Sequence, residues 1–324
     1  MALTVGVCSW SMQSTYMRPR SHRELYREAL REAQLAESLG FESFWMGSHH
    51  FAYDGYCPAL LTAAARLLAG TSALKVGTGI LLLPLHEADR VAEGAAAMND
   101  VAAGRFRLGI AGGWREVEYL GSGLRLADRP RLLDERLAAL IDGEQAERFG
   151  PTEIYMGGGS PAAIRRGARF GTGLLLAYAG PDEAVQRRAL WQQHLRADPR
   201  VPPRLATIRD VWVERDATRL NWIRARMAEM WRFYARFDDA EVKEHHVHGE
   251  TPSDDIEANI PSMMKFGTLG DPEQVYEELA AIVRTGIDEL VLRVRFDGID
   301  AELVDECLHT LATEVVPELR KVAS

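Results

Sequence analysis

The sequence predicts an α/β fold of the (β/α)8 TIM-barrel type, with a long lid insertion before the last strand. Eight short apolar segments alternate with segments of helical periodicity, and near-continuous apolar strands between helices are typical of a parallel sheet buried on both faces. The length of 324 residues and the hydrophobic share of 47% suit one such barrel. We therefore expect a single domain over residues 1–324.

The strand segments are recognised by their mostly apolar character. In chain order they are Leu3–Ser9, Phe44–Met46, Leu74–Leu83, Arg105–Ala111, Glu153–Met156, Gly173–Tyr178, Leu205–Val213 and Glu289–Val294. Helical spacing between them predicts helices at about Pro58–Leu68, Glu87–Val101 and Pro130–Ile141, and a closing helix at about Ala301–Leu319.

Two helix starts carry specific capping signals. Ser21 followed by Glu24 fits a capping box, in which each side chain binds a backbone N–H of the first turn. Gly40 then marks the end of that helix. Ser160 before Pro161 predicts a second start, because proline is favoured at the first helical position.

Residues 237–270 are polar and acidic and show little periodicity. A loop of that length is usually a lid or disordered, and we expect a mobile lid here. The run His245–His248 (HHVH) within it is interpreted as a solvated loop in preference to a metal site.

The composition disfavours several classes of partner. The net charge of −9 argues against nucleic acid, which needs a concentrated basic face. No apolar run reaches the ~18 residues of a membrane span, and the first ten residues lack the basic start of a signal peptide. Cys8, Cys57 and Cys307 lie far apart without metal-binding spacing, so we expect free thiols in a reducing compartment. The sequence predicts a cytoplasmic protein without metal.

Four unusual segments fall at strand ends, the barrel face where active sites form. They are Ser48-His49-His50 after the second strand, Gly77-Thr78-Gly79 within the third, Ala111-Gly112-Gly113-Trp114 after the fourth and Gly157-Gly158-Gly159-Ser160 after the fifth. None is specific alone, and their shared position predicts the site.

The double histidine His49-His50 allows two interpretations. One imidazole can act as a general acid or base, since its pKa lies near neutrality. The alternative is a loop histidine that only satisfies hydrogen bonds. A metal would need further ligands, and no second cluster of ligands lies at a strand end.

The glycine turn ending in Ser160 also has two interpretations. Glycines let backbone N–H groups approach a ligand, and the helix start that follows favours an anion, so a phosphate site is one. A plain tight turn is the other. The stretch Gly157–Ala162 also fits G-x-G-x-x-A, but the acidic residue that a dinucleotide site needs about 20 residues later is missing.

In combination these segments resemble the bacterial-luciferase-like flavin monooxygenases, especially the luciferase α subunit, over nearly the whole chain. The similar stretches are HHF at His49–Phe51, VGTGILLLP at Val76–Pro84, GRFRLGI at Gly104–Ile110, IYMGGGSP at Ile154–Pro161, GDPEQV at Gly270–Val275 and EVVPELR at Glu314–Arg320. Their combination in this order is specific to that family.

The resemblance implies an oxidoreductase that takes reduced FMN from a separate flavin reductase. O2 would add at the flavin C4a position, and the resulting hydroperoxide would oxidise an organic substrate under the lid. A homodimer, or a pair with a paralogue, is also implied, because luciferase-like proteins dimerise through helices two and three, which are rich in alanine here. Two alternatives remain: hydride transfer with deazaflavin F420 on the same fold, and a non-catalytic flavin-binding or scaffold protein.

The resemblance also implies roles for single residues. His49 matches the catalytic histidine at the reactive edge of the flavin, and Thr78 and Gly79 match a pair joined by a cis peptide bond under the flavin ring. The other residues implied for the cofactor are Ala111, Gly112, Gly158, Gly159, Ser160 and Tyr178, and those assigned to the substrate pocket are Trp10, His50 and Trp114.

The chain departs from the family pattern at three of these positions. Ser48 stands where the family usually has glutamate, and Ala111 where luciferase has cysteine. Gly112 stands where luciferase has an arginine for the flavin phosphate, so we expect FMN to bind roughly ten- to a hundredfold more weakly. Arg115 could supply the missing positive charge for the phosphate if the turn bends inward.

Overall fold

A computed structural model describes residues 3–9, 12, 14, 19–52, 56–143, 152–177, 179–235, 260–261 and 264–323. Trp10, Tyr178, the run His245–His248 and most of the predicted lid lie outside these ranges. The predicted (β/α)8 barrel is confirmed, because eight parallel strands close on themselves with helices between them.

The strands agree with the predicted segments apart from two additions. They are β1 (Thr4–Ser9), β2 (Ser43–Met46), β3 (Lys75–Thr78), β4 (Leu81–Leu82), β5 (Phe106–Ala111), β6 (Glu153–Gly157), β7 (Gly173–Ala177), β8 (Leu205–Val213), β9 (Gly267–Gly270) and β10 (Glu289–Arg293). The predicted third strand is divided into β3 and β4, and the last four residues of the predicted lid form β9 alongside β8.

All strand pairs are parallel, and the barrel closes where β10 pairs with both β8 and β1. The carboxyl ends of the strands therefore meet at one face, to which the four unusual segments belong.

Eleven α-helices lie in the described ranges. They are α1 (His22–Ser38), α2 (Leu60–Gly70), α3 (Ala88–Val101), α4 (Glu116–Gly121), α5 (Arg129–Asp142), α6 (Pro161–Phe170), α7 (Pro181–His194), α8 (Ala217–Ala235), α9 (Pro272–Val283), α10 (Ala301–Thr310) and α11 (Val316–Val322). A π-helical turn, Leu311–Val315, joins the last two. None of these helices is both long enough and apolar enough to cross a bilayer.

The capping signals act as predicted. The Ser21 hydroxyl accepts the N–H of Glu24 at 3.2 Å, and the Glu24 carboxylate accepts the N–H of Ser21 at 2.8 Å. Ser160 likewise caps α6 by accepting the N–H of Ala163 at 3.2 Å. Local sequence therefore decides where these helices begin.

The apolar core has two parts. A large outer cluster fills the space between strands and helices, and a smaller inner cluster fills the barrel. In the inner cluster Trp45 meets Tyr155 edge-on, with ring centroids 5.3 Å apart. Gly77 makes room for that indole, since a Cβ there would come within 2.3 Å of the Trp45 ring.

The amino-terminal end of the barrel interior is polar. Nη1 of Arg107 lies 2.6 Å from Oε2 of Glu289, and both side chains are fully enclosed. The other oxygen of Glu289 accepts from Ser43 at 2.5 Å and from the Trp45 indole at 3.0 Å. Nε of Arg107 lies 3.1 Å from Glu153. This network binds four strands at the end of the barrel opposite the candidate site.

Candidate active site

A cavity of about 600 Å³ opens at the carboxyl ends of the strands. Its walls come from the turns after β2, β5 and β6, from strands β7, β8 and β10, and from α8. The apolar part of the wall consists of Ile80, Leu82, Met156, Leu175 and Ile208.

His49 stands on the polar wall of this cavity and is almost fully enclosed. Its backbone N–H donates to the carbonyl of Tyr56 at 2.9 Å. Its Nδ1 lies 3.0 Å from Oε1 of Glu118, and because a carboxylate only accepts, Nδ1 carries the proton in the neutral ring. Nε2 is then the basic nitrogen, and it lies 3.4 Å from the hydroxyl of Tyr234. The ring is therefore oriented to exchange a proton through Nε2.

Glu118 on α4 is the residue that orients His49. Its side chain is fully buried, and Oε1 also accepts the backbone N–H of His50 at 2.8 Å. Arg115 lies 3.8 Å away and donates to the His50 carbonyl at 3.1 Å. The second oxygen, Oε2, has no hydrogen-bond partner among the described residues.

Aromatic rings hold His49 on its other sides. The ring centroid of Tyr56 is 4.9 Å away with its edge toward the imidazole. The centroids of Trp114 and Tyr234 lie 6.2 Å and 5.8 Å away. Packing on three sides leaves the imidazole little freedom to rotate, which is what a positioned acid or base requires.

The neighbouring His50 turns away from the cavity. Its ring faces His86, with centroids 5.7 Å apart, and it is not part of the cavity lining. Burial lowers the pKa of His50, against the opposing charge of Glu118. Burial also lowers the pKa of His86 to about 4, with smaller contributions from His50 and Arg136. Both rings are therefore neutral near pH 7.

Acid should destabilise the protein through His86. Its folded pKa of about 4 lies below the ordinary 6.5, so the unfolded chain takes up the proton first and stability falls as the pH drops from about 7 toward 4. The difference between the two pKa values corresponds to about 3 kcal/mol of unfolding free energy, which partial exposure of the ring reduces to about 1–2 kcal/mol. Urea titrations at pH 7 and 4.5 should show a smaller acid loss for His86→Gln than for the native protein. His309→Gln, an exposed histidine, should retain the native loss, and identical losses for all three proteins would contradict the assignment.

The glycine turn after β6 forms the opposite wall. Gly158 has a φ of +115°, which a side chain would disfavour, and Ser160 begins α6. Arg166, one helical turn further on, also lines the cavity and pairs with Asp134 at 2.5 Å. Backbone N–H groups, a helix start and a guanidinium thus converge at one end of the cavity, an arrangement that suits a phosphate group.

A family profile described as luciferase-like monooxygenase matches residues 5–289. The chain belongs to this family. An alkanal monooxygenase alpha chain from Photorhabdus laumondii subsp. laumondii is 32% identical over 143 residues, which cover 44% of this chain and 38% of that relative. The matched segment thus spans less than half of the curated relatives' own length.

Solved structures share the whole architecture. The oxygenating constituent of 3,6-diketocamphane monooxygenase from the CAM plasmid of Pseudomonas putida, a type II Baeyer-Villiger monooxygenase in complex with FMN, has a TM-score of 0.74 at 20% identity over 98% of this chain and 99% of its own. An F420-dependent secondary alcohol dehydrogenase has a TM-score of 0.73 at 17% identity, with the same two coverages. At these identities the likeness establishes the luciferase-like fold alone.

A second arginine lies beside Gly112, the position at which the sequence lacks the arginine of luciferase. Arg129, at the start of α5, packs its methylenes against Gly112, where a Cβ would lie 3.0 Å from Cδ and Cγ of Arg129. Its Nη1 donates to the carbonyl of Gly113 at 2.8 Å, and the residue lines the cavity. Arg115 is bound to His50 and does not line the cavity. The cation near this turn is therefore Arg129, and any side chain at Gly112 would require Arg129 to move by a few tenths of an ångström.

Arg129→Gln should weaken FMN binding by roughly ten- to a hundredfold, because a charge-assisted bond to phosphate is worth about 1.5–3 kcal/mol. Arg131→Gln on the exposed face of the same helix is the matched control and should bind as the native protein does. Flavin fluorescence quenching measures both affinities. Equal affinities for the two variants would show that Arg129 does not contact the phosphate.

The cis peptide bond lies one residue later than predicted. The non-proline cis bond joins Gly79 and Ile80, not Thr78 and Gly79. Thr78 is fully buried, and its hydroxyl donates to the carbonyl of Gly109 at 2.8 Å and accepts the N–H of Gly109 at 2.9 Å. The resemblance located the right turn, but a cis bond has no side-chain pattern that would fix its position to one residue.

Most of the other predicted residues converge on the cavity. Those that line it are His49, Gly79, Ala111, Gly112, Trp114, Gly158, Gly159 and Ser160. Thr78 and His50 do not line it, and Trp10 and Tyr178 lie outside the described residues. Within the described ranges no group of three or more His, Cys, Asp or Glu side chains is placed to hold a metal ion.

Sequence reasoning missed four residues of this site. Glu118 lies on a helix of six residues, too short to give a periodic signal. Arg129 and Tyr234 reach the cavity from α5 and α8, and Arg293 ends β10, where it pairs with Asp210. The only available signal was the position of Arg293 at a strand end.

Proposed function

We propose that this protein is a flavin-dependent monooxygenase that uses reduced FMN and O2 to oxidise an organic substrate. The observation that carries the proposal is a single cavity with two different ends. One end presents the glycine turn, the start of α6 and Arg129, and the other presents the oriented imidazole of His49. A phosphate-bearing cofactor and an acid–base residue are thereby brought to one space.

The residues present fit a flavin phosphate and ring. Gly158, Gly159 and Ser160 would hold the phosphate by backbone N–H groups and a hydroxyl, with Arg129 supplying the charge. Ile80 and Leu175 would contact the flat ring. When bound, reduced FMN would supply the activation of dioxygen. Binding of FMN in a structural relative of the same fold supports this assignment.

The protein's own contribution would be to move a proton and exclude water. Nε2 of His49 would accept a proton when a bound reactant gives one up and would later return it, while Glu118 holds Nδ1. The apolar wall would keep water from the reacting centre, and closure of the predicted lid over residues 237–270 would complete the enclosure.

The direct test supplies reduced FMN through a separate flavin reductase and offers aldehydes, ketones and phenols under labelled dioxygen. We expect substrate-dependent oxygen consumption and one labelled oxygen atom in the product. Label that appears only in hydrogen peroxide for every substrate would count against oxygenation.

A second candidate is hydride transfer with deazaflavin F420, and one feature favours it. A groove beside α6 is lined by Arg165, Arg169 and Arg196, and it shares Arg166 with the main cavity. F420 carries an acidic tail beyond its phosphate, which such a groove would accommodate. Anaerobic reduction of F420 by a secondary alcohol, with no oxygen consumption in the first assay, would select this candidate.

We also propose that the chain forms a homodimer through α2 and α3. Ala65 and Ala97 are exposed on these helices, and Val101 at the end of α3 is 86% exposed. An exposed aliphatic side chain beside small residues suits close packing against a second copy. A monomer mass by light scattering at micromolar concentration would reject the dimer.

A further inference from the structure

Tyr234 occupies a position that the family resemblance did not assign. It comes from the last turn of α8 and lines the cavity together with His49. Trp231 and Trp114 pack around it, with ring centroids 5.8 Å and 6.0 Å away. Its hydroxyl is the group that faces Nε2 of His49, at 3.4 Å.

Three groups follow one another from the interior toward the cavity. The Glu118 carboxylate accepts from Nδ1 of His49 at 3.0 Å, and Nε2 of the same ring faces the Tyr234 hydroxyl. The tautomer fixed by Glu118 makes Nε2 an acceptor, so the Tyr234 hydroxyl donates toward it. The donor–acceptor distance is long, as is common at catalytic sites before a substrate is bound.

We infer that Tyr234 is a catalytic residue, the member of a Glu118–His49–Tyr234 proton relay that contacts the bound reactant. The inference rests on the proposed function for its chemistry, and for its geometry on the place of Tyr234 in the cavity lining and on the distance of its hydroxyl from His49. Tyr234 extends the reach of His49, since both side chains line the cavity and the Tyr234 hydroxyl lies 3.4 Å from Nε2.

The relay conserves protons at each step. One proton passes from an O–H group of the reactant to Oη of Tyr234, while the hydroxyl proton of Tyr234 passes to Nε2 of His49. The imidazolium so formed lies against the Glu118 carboxylate, which stabilises its charge. A proton returns by the reverse path when the product is protonated. Burial raises the pKa of Tyr234, which keeps the phenol protonated between turnovers.

The hydrogen bonds of the relay can be tested without cofactor. Protein labelled with ¹⁵N-histidine should show His49, assigned by comparison with His49→Gln, as the neutral tautomer protonated at Nδ1. In Tyr234→Phe the tautomer should persist and the Nε2 resonance should move, because its donor is gone. A ring protonated at Nε2 in the native protein, or an unmoved Nε2 resonance in the variant, would overturn the relay.

Measurements of turnover provide a second test of the relay. Tyr234→Phe should lower turnover by roughly a hundredfold or more, in the range of a lost acid–base group, with unchanged flavin affinity. Tyr276→Phe on α9, outside the cavity lining, is the matched control and should keep native turnover. Native turnover in Tyr234→Phe would refute the relay and leave the proposed function standing. Absence of oxygenation by the native protein would refute the proposed function, and the resonances of His49 would still decide whether the hydrogen-bonded chain exists.

Discussion

His49→Ala is expected to lower turnover by roughly two to four orders of magnitude while the protein stays folded. The imidazole is held at Nδ1 by a buried carboxylate and lines the cavity, so its removal takes away the acid–base group. The Glu118 carboxylate keeps the N–H of His50 as a donor, and the barrel strands are untouched. Steady-state turnover with reduced FMN and a substrate found in the oxygenation assay measures the loss, and circular dichroism verifies the fold.

The adjacent histidine provides a matched comparison. His50 has the same side chain, one residue along, but its ring faces His86 outside the cavity lining. His50→Ala should therefore lose far less turnover than His49→Ala. Similar losses would mean that the loop conformation matters and not the imidazole of His49. Native turnover in His49→Ala would show that the proton is moved by another group.

The barrel itself could be predicted because its signals are local. A strand such as Leu205–Val213 is apolar over its whole length, since it is buried on both faces, and the structure gives it the predicted bounds. Ser21 and Ser160 mark helix starts through hydrogen bonds to residues three positions away. Signals between residues this close in the chain can be recognised in a single sequence without knowledge of the tertiary fold.

In the candidate site, only residues at strand ends or within the segments that resemble the family could be predicted. His49 and the glycine turn lie directly after strands, and active sites of such barrels form at the carboxyl ends of the strands, so both could be predicted. Glu118 and Tyr234 lie 69 and 185 residues from His49 in the chain, and only packing brings them together. Arg129 could not be predicted for the same reason. It packs beside Gly112, 17 positions earlier in the chain, and the sequence shows only that Gly112 is not an arginine.

The largest effect on stability is expected at the other end of the barrel. Arg107 is 1% exposed and Glu289 is 0% exposed, with 2.6 Å between Nη1 and Oε2. Glu289 also accepts from Ser43 and Trp45, so its charge is matched by three donors in the interior. A buried pair of this kind is weak evidence for net stabilisation, yet it is costly to break on one side, because the remaining charge is left away from water without its counter-charge.

Arg107→Met should therefore lower the unfolding free energy by about 3–5 kcal/mol, the usual cost of an uncompensated buried charge. Arg107→Met combined with Glu289→Gln should recover part of that loss, since no charge is then left buried, and the recovery measures the coupling of the two residues. Arg125→Met, which breaks an exposed pair with Asp128, is the control and should leave the urea midpoint unchanged. Glu289→Gln alone completes the comparison, and urea unfolding is measured for all five proteins. If the double variant is as unstable as the sum of both single losses, the penalty lies in lost packing around Arg107 and not in the stranded carboxylate of Glu289.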